Sequence, residues 1–127
     1  GDFMSEENLK KVEKHSRIVD GKRHVWYTPR LWALSEGLPM IEVAVESVGA
    51  LDVDCWFLPG TEPTIRNVAQ HCKRIMEADF CYPIILHSDG SLMDGGHRVA
   101  KALIQGLDKI KAVRFDVTPE PDEIREA

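Results

Sequence analysis

Cysteine is scarce in this chain. Cys55, Cys72 and Cys81 are the only three, and no two of them form a Cys-x-x-Cys pair. An odd count without that spacing argues against a disulfide framework and against a thiolate zinc cluster. A reducing cytoplasm is the expected compartment. Long apolar runs are missing as well. No stretch approaches the ~20 residues that a helix needs to span a bilayer, and no secretory signal pattern is read. Basic runs are also absent. Lys and Arg number 16 against 21 Asp and Glu, which leaves a net charge of −5. That balance speaks against broad, non-specific DNA binding, although it is compatible with a local basic patch. There is no internal repeat and no linker long enough to divide the chain. A length of 127 residues fits one domain that buries a core without metal or disulfides.

What the chain does contain is one dense motif, Ser91-Leu92-Met93-Asp94-Gly95-Gly96-His97-Arg98-Val99-Ala100. A short apolar strand runs into an acid, two glycines and two basic residues, and then into a helix. Adjacent glycines admit backbone conformations closed to other residues and leave N–H groups uncovered. A helix N-terminus carries roughly half a positive charge and unpaired donors. His97 and Arg98 add side-chain donors at the same end. Together these features describe an anion pocket, most naturally one for phosphate. The plainer reading is a tight strand-to-helix connection.

The rest of the chain reads in order around that motif. Residues 5–20 are charged and weakly periodic, with Leu9, Val12 and Ser16 able to share a helix face. His24 to Tyr27 reads as a strand. Thr28-Pro29 reads as a cap and first-turn proline of a helix through Leu31 to Leu34, stopped at Gly37. Trp26, Tyr27 and Trp32 gather three large rings, for core or lid packing rather than base stacking. Met40 to Ser47 alternates as a half-buried strand. Leu51 to Leu58 is a second extended segment or a loop, closed by Pro59-Gly60. Thr61 to Thr64 opens the longest helix, whose apolar positions Ile65, Val68, Ala69, Cys72, Ile75, Met76 and Phe80 predict one buried stripe. On that reading Cys72 is a small core residue, and Asn67 and His71 are surface neighbours.

Tyr82-Pro83 ends the helix and Ile84 to His87 is a strand. Ser88-Asp89-Gly90 is a hairpin turn, and Ser91 to Met93 is the return strand. A helix from about His97 to Gln105 points Val99, Ala100, Leu103 and Leu107 toward the core. Gly106 then stops it in a left-handed conformation. Ile110 to Val117 is a last strand, and the acidic tail from Thr118 is expected to be loose or a short frayed helix.

This order of elements, with Pro83 to Leu86, the Asp89-Gly90 turn, Asp94-Gly95-Gly96-His97-Arg98 and the helix ending at Gly106, resembles the ParB/sulfiredoxin superfamily domain. The likeness covers about residues 40–117, leaving 1–39 as an N-terminal extension with a short strand and helix, and 118–127 as an acidic tail. It implies a small α+β fold, a ParB-like N-terminal domain standing alone, with a small mixed sheet packed with helices. Its phosphate pocket would lie at the N-terminus of the helix after the glycines. Members use the pocket on different nucleotides: ATP in sulfiredoxins, CTP in ParB proteins, ADP in a branch that phosphorylates free serine. Fold alone therefore does not fix function.

The carry-over is uneven. Gly95, His97 and Arg98 match the sulfiredoxin Gly-Cys-His-Arg loop, but the catalytic cysteine falls at Gly96, so sulfiredoxin chemistry is not expected. Asp94-Gly95 with His97-Arg98 is closer to the Asp-Gly-His-His-Arg of the serine-kinase branch, where Gly96 again replaces a functional residue. The Gly-Glu-Arg-Arg of ParB proteins is missing. On the resemblance, Thr64, Asn67 and His71 face the nucleotide together with Gly95, Gly96, His97 and Arg98. Glu62 stands where the kinase branch places its acid, and is a candidate general base; its plainer role is favourable charge at a helix start. Asp94 is a candidate catalytic residue and magnesium ligand, or a turn acid.

The expected function is nucleotide-phosphate binding, extending to ATP- or ADP-dependent phosphoryl transfer onto a small molecule. Against it stands a non-catalytic ParB-like module that contacts DNA or a protein partner. A nuclease is a weaker alternative, because no dense acid cluster suggests a two-metal site. His71, His87, His97 and Asp94 lack the tight spacing of a metal site.

Overall fold

The computed structural model describes residues 13–57 and 60–127. In chain order its elements are β1 (Lys14–Val19), β2 (Lys22–Tyr27), α1 (Thr28–Ser35), β3 (Ile41–Ala44), a 3-10 turn (Val45–Ser47), α2 (Ile65–Glu77), β4 (Ile84–Leu86), β5 (Leu92–Asp94), α3 (Gly96–Gln105), β6 (Lys109–Arg114) and β7 (Glu123–Glu126). Among the described residues this is an α+β fold with three helices and two sheets, gathered into two compact units. Of the described residues, one comprises 38–117 and the other 13–37 together with 118–127. Among the described residues no helix is long and apolar enough to cross a membrane.

The smaller unit is a three-stranded sheet in the order β1-β2-β7. The helix expected within residues 5–20 gives way to a strand over Lys14–Val19, while Leu9 and Val12 lie outside the described residues. The reason is local. Asp20 and Gly21 both take positive φ (51° and 78°), the geometry of a two-residue hairpin that matches strand twist. The tail also differs from the expected loose end, since Glu123–Glu126 pairs antiparallel with β2. Side chains fix that return. Trp26 Nε1 donates to Pro119 O at 2.7 Å, Tyr27 N to Asp122 Oδ2 at 2.7 Å, and Tyr27 OH to Glu123 Oε2 at 2.6 Å. Thr28 is the first residue of α1 rather than its cap, and Tyr27 holds the cap position without a side-chain bond. The three rings divide: Trp26 is buried, Tyr27 half-buried and Trp32 exposed.

The larger unit is a four-stranded mixed sheet in the order β3-β6-β4-β5. β3 and β6 are antiparallel, with Ile41 opposite Ala112 and Val43 opposite Ile110. β4 and β6 are parallel, with Ile84 opposite Ala112. β4 and β5 form the expected hairpin, in which His87 N donates to Ser91 O at 2.8 Å. Central placement explains why β4 is apolar at every position: Ile84, Ile85 and Leu86 are all buried, as strands covered on both faces are. Val45, Val48, Ile84, Leu86, Val99, Ala102, Ile110 and Ala112 form the core. Each large member contributes about 2 kcal/mol through burial.

Two expectations about packing are corrected. On α3, Val99 and Ala102 are buried, but Leu103 and Leu107 are exposed. Gly106 (φ 71°) does end the helix, with Leu107 N donating to Ala102 O at 3.0 Å. On α2 the predicted buried stripe does not exist. No residue of this helix is buried, and Ile65, Val68, Ala69, Cys72 and Met76 are all exposed. The half-buried positions are Asn67, His71 and Ile75. Cys72 is therefore a surface thiol and not a core residue. The side that α2 turns inward meets α3 through a polar contact, described next.

Candidate functional site

The site is the junction of β5 and α3. β5 ends at Asp94, and Gly95 caps α3 with φ 113° and ψ 20°. That conformation is open to glycine and strained for other residues. Space enforces the same choice: a Cβ on Gly95 would lie 2.6 Å from Ile84 Cγ2 and 3.0 Å from an Arg98 guanidinium nitrogen. The backbone N–H groups of the first turn have no partner within the helix. Val99 N closes the first helical bond, to Gly95 O at 3.0 Å.

Arg98 lies one turn into α3. Its Nη2 donates to Asp94 Oδ2 at 3.0 Å, a largely sheltered pair. Its Nε is buried without a hydrogen-bond partner. A buried donor left unmade costs about 1–3 kcal/mol, so this guanidinium retains donor capacity. Asp94 is thereby committed to a cation already. Among the described residues no group of three or more His, Cys, Asp or Glu side chains could hold a metal ion. Asp94 would take up magnesium, which is commonly held by one or two carboxylates with waters and phosphates, only in competition with its bond to Arg98.

His97 and His71 meet across the α2–α3 contact. His71 Nδ1 lies 2.8 Å from His97 Nε2, with ring planes inclined by 11°. So short a nitrogen contact between near-parallel rings sets the two imidazoles edge to edge. Burial, then the Arg74 guanidinium and then His71, push the His97 pKa down to about 4. Burial and Arg74 lower that of His71 as well. Both rings are neutral at pH 7, and one donates the single shared hydrogen to the other.

Trp56 lies flat on this pair. Its ring centroid is 4.8 Å from His71 and 4.7 Å from His97, with interplanar angles of 14° and 9°. Phe57 meets His71 edge-on at 5.2 Å. A Cβ on Gly96 would stand 3.3 Å from Trp56 Nε1, so the second glycine makes room for the indole. The loop that delivers Trp56 is tied by Asp54 Oδ1, which accepts from Trp56 N at 3.0 Å and Phe57 N at 2.7 Å. It is tied again by Thr61 Oγ1, which donates to Trp56 O at 3.1 Å.

Among the residues singled out from sequence, Gly95, Gly96, His97, Arg98, Asp94 and His71 come together. Thr64 serves α2 as its N-cap, its Oγ1 accepting from Asn67 N at 3.1 Å. Asn67 Nδ2 donates to Glu62 O at 2.8 Å. Glu62 is exposed, and its Oε1 accepts from Gly60 N at 3.1 Å. Hydrogen bonds from its own backbone N–H and from Gly60 lower its pKa, which weakens it as a base. Hydrogen bonds therefore tie Thr64, Asn67 and Glu62 into the α2 start. A shallow, open depression of about 600 Å³ lies elsewhere, between Phe80, Lys101 and Lys111. Sequence reasoning missed Trp56. Its only signal is an adjacent Trp-Phe pair in the mostly apolar segment before Pro59-Gly60.

No protein-family model, curated protein or solved structure matches this chain.

Proposed function

We propose that residues 40–117 form a nucleotide-binding domain of the ParB-like, sulfiredoxin-like kind, holding the nucleotide phosphates at the start of α3. The observation that carries this reading is a convergence at one point. Gly95 at φ 113° opens a ten-residue helix, and the Arg98 guanidinium beside it has a buried Nε without a partner. A phosphate there would accept from first-turn N–H groups and take a charge-assisted bond from Arg98 in competition with Asp94. Trp56, with its indole N–H beside Gly96, borders the same point. ATP, ADP and CTP are the candidate ligands.

The reading is one of binding more than of transfer. Glu62 accepts backbone hydrogen bonds that lower its basicity, and Asp94 is paired with Arg98. Neither is poised to take a proton from an acceptor hydroxyl.

The test is thermal unfolding with ATP, ADP, CTP and inorganic phosphate. A ligand at a hundred times its Kd stabilises the native state by about 2.7 kcal/mol. At least one nucleotide should raise the Tm, and Arg98→Ala should abolish the rise. A ligand-free melt and circular dichroism of the variant separate lost binding from lost fold. No rise with any nucleotide or with phosphate overturns the proposal.

A further inference from the structure

Trp56 carries a donor that its packing does not use. One face of its ring lies on His71 and His97, at 4.8 and 4.7 Å. Among the described residues its Nε1–H makes no hydrogen bond; the bonds of Trp56 run through its backbone N and O. That indole nitrogen stands 3.3 Å from the point where a Cβ on Gly96 would lie. The residue before repeats the pattern. An Arg98 guanidinium nitrogen stands 3.0 Å from the point where a Cβ on Gly95 would lie. Each glycine's open side-chain position therefore has a nitrogen donor against it, one from α3 and one from the loop that delivers Trp56. Covering two imidazoles needs only a flat ring, and a phenyl ring would do it. The N–H is additional to that role.

We propose that Trp56 is a phosphate-contacting residue, and that the site it completes takes a chain of at least two phosphates, as in a nucleoside diphosphate or triphosphate, in preference to a single phosphate group. The inference rests on the reading of the α3 start as a phosphate site. It adds a ligand-binding residue from outside α3 and a class of ligand.

Donor chemistry selects the anion. An indole N–H and a guanidinium donate and never accept, so both suit ionised phosphate oxygens. Spacing selects the chain. The first-turn N–H groups and the Arg98 Nε, buried without a partner, take one phosphate. Consecutive Cα atoms are about 3.8 Å apart, so donors set against adjoining glycines address adjoining phosphates, and Trp56 Nε1–H takes the second. The indole is aimed before any ligand arrives. Asp54 Oδ1 accepts from Trp56 N at 3.0 Å and from Phe57 N at 2.7 Å, and Thr61 Oγ1 donates to Trp56 O at 3.1 Å. With the backbone tied and one ring face stacked, little ordering remains to be done on binding.

Trp56→Phe tests this, because the phenyl ring keeps a cover on the imidazoles and lacks the N–H. Calorimetric titration of the full chain and of the variant compares ADP, pyrophosphate and inorganic phosphate. Wild type should bind ADP and pyrophosphate at least about tenfold more tightly than inorganic phosphate, and the variant should lose about tenfold for the first two, as expected for one hydrogen bond to a charged group. Inorganic phosphate should change by less than about twofold, since its donors are untouched. NMR of the wild-type chain reads the same contact without a substitution: pyrophosphate should move the Trp56 indole N–H downfield, and further than those of Trp26 and Trp32. Inorganic phosphate bound as tightly as pyrophosphate overturns the proposal. So does an unmoved Trp56 resonance, or a folded Trp56→Phe that binds ADP as wild type does. In each of these cases ADP binding that Arg98→Ala abolishes leaves the phosphate site itself standing. A chain that binds none of the three ligands overturns both.

Discussion

Trp56→Ala separates the packing of the histidine pair from its chemistry. The indole makes two parallel ring contacts, at 4.8 and 4.7 Å. Aromatic pairs are worth about 0.5–1.5 kcal/mol each beyond their burial, so the variant should lose ~1–3 kcal/mol at pH 7. Burial is the largest cause holding His97 at about 4 instead of 6.5. With the plate gone, the imidazole meets water and its pKa should climb toward 6.5. The sign of the pH dependence follows. Native His97 resists the proton while the unfolded chain accepts it near 6.5, so stability is full above about pH 6.5 and falls as pH drops toward about 4. The span from 6.5 to about 4 converts to about 3 kcal/mol. His97 is partly exposed, and solvent screening reduces this to ~1–2 kcal/mol. The variant should show a flatter dependence, so the gap between the two proteins is wider at pH 7 than at pH 4.5. Urea melts at both pH values measure the gap, and NMR titration of the His97 ring protons measures the pKa directly. A wild-type His97 that titrates near 6.5 refutes the reasoning. So does a depressed value that persists unchanged in a folded Trp56→Ala.

Gly95→Ala should cost about 2–4 kcal/mol, because it combines a strained positive φ with a Cβ placed 2.6 Å from the buried Ile84; the urea midpoint at constant m-value reports it. Gly96→Ala should move the Trp56 indole N–H resonance, since its Cβ would stand 3.3 Å from Trp56 Nε1, while stability changes by less than about 1.5 kcal/mol. Thr64→Ala should cost about 1 kcal/mol through loss of the bond from Asn67 N, seen as a lowered Tm with the His71–His97 pair intact.

These perturbations fall at the places where local and tertiary rules meet. Gly95 and Gly106 are legible from sequence, because each sits at a helix end that needs backbone freedom, and both take positive φ; the Ile84 contact that also requires glycine at 95 is tertiary. The opening of α2 within Thr61 to Thr64, the Asp89-Gly90 hairpin and the apolar β4 are legible for the same reason: each depends on neighbours a few residues away. The Asp20-Gly21 hairpin obeys that rule too, yet the charged segment around it reads equally as a weak helix. β7 is different. Its residues are acidic and follow two prolines, and only Asp122 and Glu123 bonding to Tyr27 reveal a strand.

Helix α2 marks the boundary most sharply. Its sequence determines that it is a helix, where it starts and that one side is apolar, because capping, propensity and a 3.6-residue period act within a few turns. The glycine-basic junction at Asp94 to Arg98 follows in the same way, whereas the α+β class is an implication of the family resemblance. Sequence does not determine which side of α2 faces the fold. That depends on His97, 26 residues further along, meeting His71 at 2.8 Å, and on Trp56 covering both rings. The inward side of α2 carries the half-buried Asn67, His71 and Ile75, and there the two imidazoles supply each other's hydrogen-bond partner. Only the tertiary structure decides this, since the groups that satisfy one another come from a loop and two helices that sequence spacing keeps apart.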